Sequence, residues 1–517
     1  MTRSASLSAL VLVLMALIGG CATSVPVQVS VRTTPTLSAV LRPRLSGGEV
    51  EAIDVRYVIQ DGVVPAGEAF SLVAPVVYDT VEGIADRMID LKVEDADGPV
   101  VLTVFDDPVA PGGSPYYRHW RADRGVRFPV RVSYSALVQP AGARGGPPLG
   151  IRPSAGGVSG AGSSFLLLPD NAGVGRSRIH WELGGFDARS LAASSFGDGD
   201  FDLAGAPDAL LKGWYMAGPA GRYPATGDAD GFSATWLGRP PWDVEDTMAW
   251  SGRVYADLAR FFQTEAPRYR VFVRVLATPP FGGGTAMTNS FLFSRGPLRS
   301  DEVVEVPKRT LVHEMIHGFV GGIEGPRWEQ GWFAEGLTSH YTSQLQLRGG
   351  YITLEAYLRE INQAAEEYYT NPARNWSAER IASVGFDDAR VRRLPYVRGQ
   401  LYFAALDARV RTYSDSRRDL DTVMREVFAR RDAGERFDNT AWREIVEREA
   451  GPGSAAQFDA VVLQGTETLI PPPGMLAPCL AAEPAIYENA GAPIEGYRWI
   501  VSAQAGRGCG GPGLAGR

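Results

Sequence analysis

Residues 311–341 read LVHEMIHGFVGGIEGPRWEQGWFAEGLTSHY, and the organisation of the whole chain follows from them. Within the stretch, His313-Glu314-Met315-Ile316-His317 is an H-E-x-x-H pattern, and Glu335 follows 18 positions after its second histidine. On a helix, residues four apart project from one face, so both imidazoles reach a single ion. Zinc accepts imidazole nitrogen and carboxylate oxygen, and a catalytic zinc keeps three protein ligands and one open position. Glu314, one residue round the helix, is placed to hold a water and take its proton. Leu311, Val312, Met315, Ile316 and Phe319 form the other, apolar face. The two histidines are thus set apart from the residues that would make them ordinary core histidines. The chain has only five His, so a pattern that uses two of them at fixed spacing carries weight.

The same stretch predicts two helices. Pro307 suits a first helical turn, and Gly318 with Gly321-Gly322 closes the first helix. A second begins near Trp332, with Phe333, Leu337, Tyr341 and Leu345 at four-residue spacing and Glu335 off that stripe, facing the first helix. Glu324, Glu329 and Glu335 compete as the third metal ligand. The first two sit beside glycines, where the backbone is poorly fixed. Glu335 lies within the helix, which positions a ligand better.

Working outward, 517 residues exceed one ordinary core and predict two or three domains. With 45% apolar and 21% charged residues the composition is that of a globular protein, and a net charge of −8 excludes a general nucleic-acid binder. Residues 1–20 read as a targeting segment: Arg3, then the apolar run Ala9 to Ile18, too short to span a membrane comfortably. The run ends Leu17-Ile18-Gly19-Gly20-Cys21, which resembles a bacterial lipobox and makes Cys21 the lipidation site and the mature N-terminus. The expectation is an outer-membrane lipoprotein facing the periplasm, with an ordinary cleaved signal peptide as the alternative. In that oxidising compartment Cys479 and Cys509, 30 residues apart, are the pair for one disulfide.

From 21 to 170 the chain reads as an antiparallel β domain. VPVQVSVR, Ile53–Ile59, FSLVAPVVY, PVVLTVF and VRFPVRVSYSALV are rich in β-branched and aromatic residues, and Gly, Asp and Pro clusters separate them. Residues 171–300 mix the two periods. A helix is expected over Trp242–Phe262, strands over Tyr269–Leu276 and Asn289–Ser294, and a Gly-rich turn over Pro279–Thr288. A strand beside the metal helix offers its free edge to an extended peptide. Residues 301–465 are mainly helical, with further helices near 353–368, 396–411, 417–431, 440–449 and 454–463. Residues 466–517 read as a Pro/Gly-rich tail.

HEMIH, then WFAEGLTSHY, then Leu394-Pro395-Tyr396-Val397-Arg398-Gly399 resemble the gluzincin metallopeptidases, and most closely the glycyl aminopeptidase family. The resemblance spans about residues 50–465 and implies an α+β multidomain fold: an N-terminal antiparallel β domain, then a thermolysin-like, mainly helical zinc peptidase domain. It implies one zinc ion on His313, His317 and Glu335, Glu314 as general base, and Tyr396 as hydrogen-bond donor to the oxyanion. A phenol suits that last role as a neutral donor; its alternative is a core anchor at a helix start. One departure stands out. The family carries a Gly-Gly-Leu-Glu-His-type turn whose Glu anchors the free amine of the substrate. Here Gly282 to Ser290 puts Ala286 at that place, and no acid lies between Phe281 and Phe293. A buried ammonium needs a carboxylate, so either another acid replaces it or the enzyme cuts within peptides. His340 is expected to be an exposed helix residue, and His119 and His180 structural. The reading is a zinc peptidase acting on peptide or protein substrates and anchored to the membrane by its N-terminal lipid. The alternative is a catalytically inactive scaffold of the same fold.

Overall fold

The computed structural model describes residues 36–78, 81–110, 115–141, 149–263, 268–278, 283–297, 305–384, 388–476, 479–489 and 491–502. Cys21, Cys509 and the lipobox lie outside these residues. No described helix is long and apolar enough to cross a membrane.

Strands Thr36–Ser46 and Glu49–Ile59 form a hairpin closed by Gly47 and Gly48, both at positive φ (59° and 88°), which a tight two-residue turn demands. They sit inside a seven-stranded sheet, and two five-stranded sheets pack with it around one apolar core. These β layers run past residue 170, where the sequence reading ended them. Thr36–Leu41 pairs in parallel with Arg176–Trp181, and Gly157–Ala161 pairs with Trp214–Gly218. The boundary was hidden because strands such as Leu191–Ser194 and Phe201–Ala204 are only four residues long. That is too short for alternation to register against the intervening glycines.

A third five-stranded sheet forms a wall between this core and a second, mainly helical one. Strand Phe232–Leu237 crosses over through helix α1 (Val244–Phe262) to a parallel partner, Tyr269–Val275, and this pairs in parallel with Ser290–Arg295. The wall explains why Tyr269–Val275 is buried along both faces. Val271 and Val273 face the helical core while Phe272 faces the β core, as in any strand covered on both sides. Arg274 also points to the β side, fully buried, and donates to the carbonyls of Gly150 and Ser159. Gly284–Met287, read from sequence as a turn, is a strand: it pairs antiparallel with Ser290–Arg295 and forms the edge of the wall.

The helical unit comprises α2 (Lys308–Val320), α3 (Arg327–Arg348), α4 (Leu354–Tyr369), α5 (Ala378–Val384), α6 (Ala389–Tyr413), α7 (Leu420–Asp432), α8 (Asn439–Ala450) and α9 (Ser454–Phe458). Helix α6 starts seven residues ahead of the expected position 396 and carries Pro395 inside it. Helix α5 lies outside the helices expected from sequence. The C-terminal segment also departs from the expected loose tail. Leu480–Asn489 and Ala492–Val501 form a hairpin laid on α4. The Asn362 amide donates to the Trp499 carbonyl at 2.9 Å and accepts from its N–H at 2.7 Å, as a neighbouring strand would. Cys479, immediately before the hairpin, is disulfide-bonded.

Candidate metal centre

The site is assembled by three helices and one sheet edge. Helix α2 begins after Pro307 and ends at Gly321, whose φ of 61° lies in the left-handed region that favours glycine. Its inner face, Leu311, Val312, Met315 and Ile316, is fully buried. Tyr269, from the wall strand, donates its hydroxyl to the backbone carbonyl of Glu314 at 2.9 Å and so pins the helix to the sheet. Helix α3 crosses α6 with backbones in contact: a Cβ on Gly336 would lie 2.5 Å from the Gly399 Cα. Because Gly336 follows Glu335, and Gly399 is one turn after Tyr396, this close approach brings the carboxylate and the phenol together.

The outcome is a group of three donors. Glu335 Oε2 lies 3.3 Å from His313 Nε2 and 3.3 Å from His317 Nε2. One donor atom from each residue falls within 4.8 Å of the others, and among the described residues no other set of His, Cys, Asp or Glu side chains does this. The imidazole rings meet edge to face, with centroids 4.7 Å apart. Two neutral-capable nitrogens and a carboxylate converging at this spacing fit one zinc ion. The rivals for third ligand point elsewhere. Glu324 pairs with Arg436, and Glu329 accepts from the Asn439 amide at 2.9 Å.

The electrostatics follow from burial and mutual contact. Burial alone raises the Glu335 carboxyl, but hydrogen bonds from His313 and His317 outweigh it and hold it well below the usual carboxylate range. Burial pulls His313 down to about 4. His317 is also buried, yet its contact with Glu335 and the charges of Glu335 and Glu314 leave it raised. Burial pushes Glu314 up to about 7, with His317 opposing and Glu335 reinforcing the shift. The Tyr396 ring lies parallel to His313, centroids 5.8 Å apart. Burial and the charges of Glu335 and Glu314 raise its phenol, which is hydrogen-bonded to Glu335 and stays protonated.

Sequence reading missed three contacts. Thr338 Oγ1 lies 3.3 Å from His317 Nδ1, the ring nitrogen turned away from Glu335. Such a partner fixes the tautomer of a metal-ligating imidazole. A hydroxyl three residues after Glu335 on the same helix was the available signal. Tyr269 on α2, and Arg393 against Tyr396, depend on tertiary packing and had no local signal. His340 corrects the expectation of an exposed residue: it is 6% exposed, packed against Tyr341 and Phe403, with its proton directed to the Gln400 carbonyl. His119 and His180 lie in the β domain, bonded to Asp107 at 3.0 Å and Asp200 at 2.6 Å.

Beside α2 runs the edge strand Gly284–Met287. The bond from the Ser294 N–H to the Gly283 carbonyl sets the phase of its pairing, so Gly284 and Ala286 turn their own N–H and C=O groups away from the sheet.

A β region thus precedes a helical unit in which two facing helices supply His, His and Glu. Residues 325–414 match the M61 glycyl aminopeptidase family, a range that holds Glu335 and Tyr396 but not the H-E-x-x-H pattern. The fold is similar to an aminopeptidase N family protein of Idiomarina loihiensis (TM-score 0.64, 16% identity, 84% of this chain and 77% of the other). It is also similar to an M1 zinc metallopeptidase of Deinococcus radiodurans (TM-score 0.51, 15% identity, 85% of this chain and 95% of the other). A mutant of that second protein, bound to a Tyr-Ser-Ala substrate, aligns equally well (TM-score 0.51, 15% identity, 85% and 96%). No curated protein matches the sequence.

Proposed function

We propose that this chain is a zinc-dependent peptidase that hydrolyses peptide bonds lying along the edge strand, with Glu314 as general base. The observation that carries the reading is the convergence of His313, His317 and Glu335 within 4.8 Å, beside a strand that forms the edge of its sheet. Zinc held there would supply Lewis acidity to the scissile carbonyl and to water. The edge strand binds the substrate backbone as an added strand, through the outward N–H and C=O groups of Gly284 and Ala286. Glu314 receives the proton of the attacking water and delivers it to the leaving amine. The Tyr396 hydroxyl, a neutral donor already aimed into the site, stabilises the negative charge on the carbonyl oxygen.

Ala286 offers no carboxylate for a substrate ammonium. Cleavage within peptides is therefore the favoured mode, and N-terminally blocked peptides are substrates. The envelope assignment rests on the Cys21 lipobox: the chain is lipidated at Cys21 and held at the bacterial outer membrane facing the periplasm. Loss of an incorporated alkyne-fatty-acid label in Cys21→Ala tests that part.

Glu314→Gln keeps the three metal donors and removes the base. Zinc content equal to the parent with turnover of a peptide mixture abolished is the expected result. Parent-like turnover in Glu314→Gln excludes the assigned base. A zinc-loaded parent that cleaves nothing favours the second reading, an inactive scaffold, which the missing amine anchor makes a specific alternative.

A further inference from the structure

Tyr396 sits on a turn of α6 that the helix itself cannot hold firmly. Pro395 has no N–H, so the helical bond to the Val391 carbonyl is missing just before the phenol. What fixes this turn comes from outside it. Arg393 places its guanidinium 5.0 Å from the centroid of the Tyr396 ring, within the range of a cation–π contact. The same guanidinium is forked onto Glu367 of α4, Nε to Oε1 at 3.1 Å and Nη2 to Oε2 at 3.2 Å. A bidentate pair fixes the plane of the guanidinium as well as its position. Behind it, the Asn371 amide donates to the Arg390 carbonyl at 3.0 Å and ties the first turn of α6 to the end of α4. Tyr396 has the parallel ring of His313 against it, and its hydroxyl on Glu335.

We infer that Arg393, locked by Glu367, is a positioning residue that holds the Tyr396 phenol where the oxyanion forms. This rests on the peptidase reading above. Neither side chain touches substrate; both act through the angle of one ring. Arg393 is suited to this and Lys is not, since a flexible ammonium supplies the charge but neither the fork nor the planar face.

The test compares Arg393→Met, Arg393→Lys and Glu367→Gln in the zinc-loaded full chain, each with Tyr396 and with Tyr396→Phe. With Tyr396 present, Arg393→Met is expected to lower kcat about tenfold to a hundredfold, the effect of a misplaced transition-state contact. KM should stay within about twofold and zinc content should be unchanged. Arg393→Lys and Glu367→Gln are expected to fall between parent and Arg393→Met. In the Tyr396→Phe background Arg393→Met should cost less than about twofold, because the group it positions is gone. Equal losses in both backgrounds, or a change in KM alone, would overturn the inference. A readout independent of turnover is the fluorine resonance of 3-fluorotyrosine at position 396, identified by its absence in Tyr396→Phe. Arg393→Met should shift or broaden this signal and leave the other tyrosines in place. A chain without peptidase activity would sink the proposed function, yet a moved resonance would still support the clamp. An unmoved resonance would refute the clamp whatever the activity.

Discussion

Gly336→Ala puts the geometry of the site under direct strain. The added Cβ would lie 2.5 Å from the Gly399 Cα, 2.9 Å from its carbonyl carbon and 3.2 Å from the Pro395 oxygen. Carbon atoms rest at about 3.5–4.0 Å, so α3 and α6 must part by about 1 Å. Overpacking of this kind costs about 1–3 kcal/mol, and the better helix propensity of Ala returns about 1 kcal/mol. Net destabilisation is therefore about 0–2 kcal/mol, and the protein stays folded. The effect on chemistry is larger. A displacement of about 1 Å costs about a hundredfold in rate, and the two residues that separate carry Glu335 and Tyr396. A thermal melt together with steady-state kinetics on zinc-loaded protein reads both quantities. The expected result is a small shift in Tm and a large fall in kcat. Gly322→Ala serves as the control, because its Cβ meets nothing within 4 Å. If Gly336→Ala retains kcat within about twofold, the backbone contact between α3 and α6 does not set the site.

Other consequences follow from single contacts. Thr338→Val removes the hydroxyl 3.3 Å from His317 Nδ1 and leaves the shape intact. Zinc affinity, measured by chelator competition, should fall about tenfold to a hundredfold, and Thr338→Ser should recover it. Burial holds His340 at about 4 in the folded chain, below its ordinary value of 6.5. Between those values the unfolded chain binds more protons, so stability is full above pH 6.5 and is lost as pH falls towards 4. The loss reaches about 3 kcal/mol, and His340→Gln should flatten the acid limb of urea unfolding midpoints against pH. Stripping zinc with a chelator should lower Tm, since an ion bound by the folded chain alone adds stability.

The parts of this site legible in the sequence are those with a local period. His313 and His317 are one helical turn apart, and the apolar set Leu311, Val312, Met315 and Ile316 marks which way α2 faces. Glu335 was separable from Glu324 and Glu329 because a helix surrounds it. The misses share a different cause. Helix α3 is enclosed on most sides, so Thr338, Ser339, His340, Tyr341 and Thr342 are all buried and burial extends well beyond the stripe of Phe333, Leu337, Tyr341 and Leu345. Its polar residues turn inward onto the backbone: Thr342 Oγ1 donates to the Thr338 carbonyl at 2.7 Å, and the Gln346 amide to the Thr342 carbonyl at 3.1 Å. An exposed His340 was the natural misreading of that pattern. Gly284–Met287 is a strand only because Ser290–Arg295 pairs with it, and its glycine argues locally for a turn. The clamp of Arg393 on Tyr396 needs Glu367, which lies 26 residues earlier on another helix and leaves no trace in local sequence.

Anomalous diffraction at the zinc edge, on crystals of the zinc-loaded chain, addresses the metal site most directly. One strong peak is expected about 2.0–2.2 Å from His313 Nε2, His317 Nε2 and a Glu335 oxygen, absent from crystals of His317→Ala. A peak elsewhere, or none between these three side chains, would contradict this expectation.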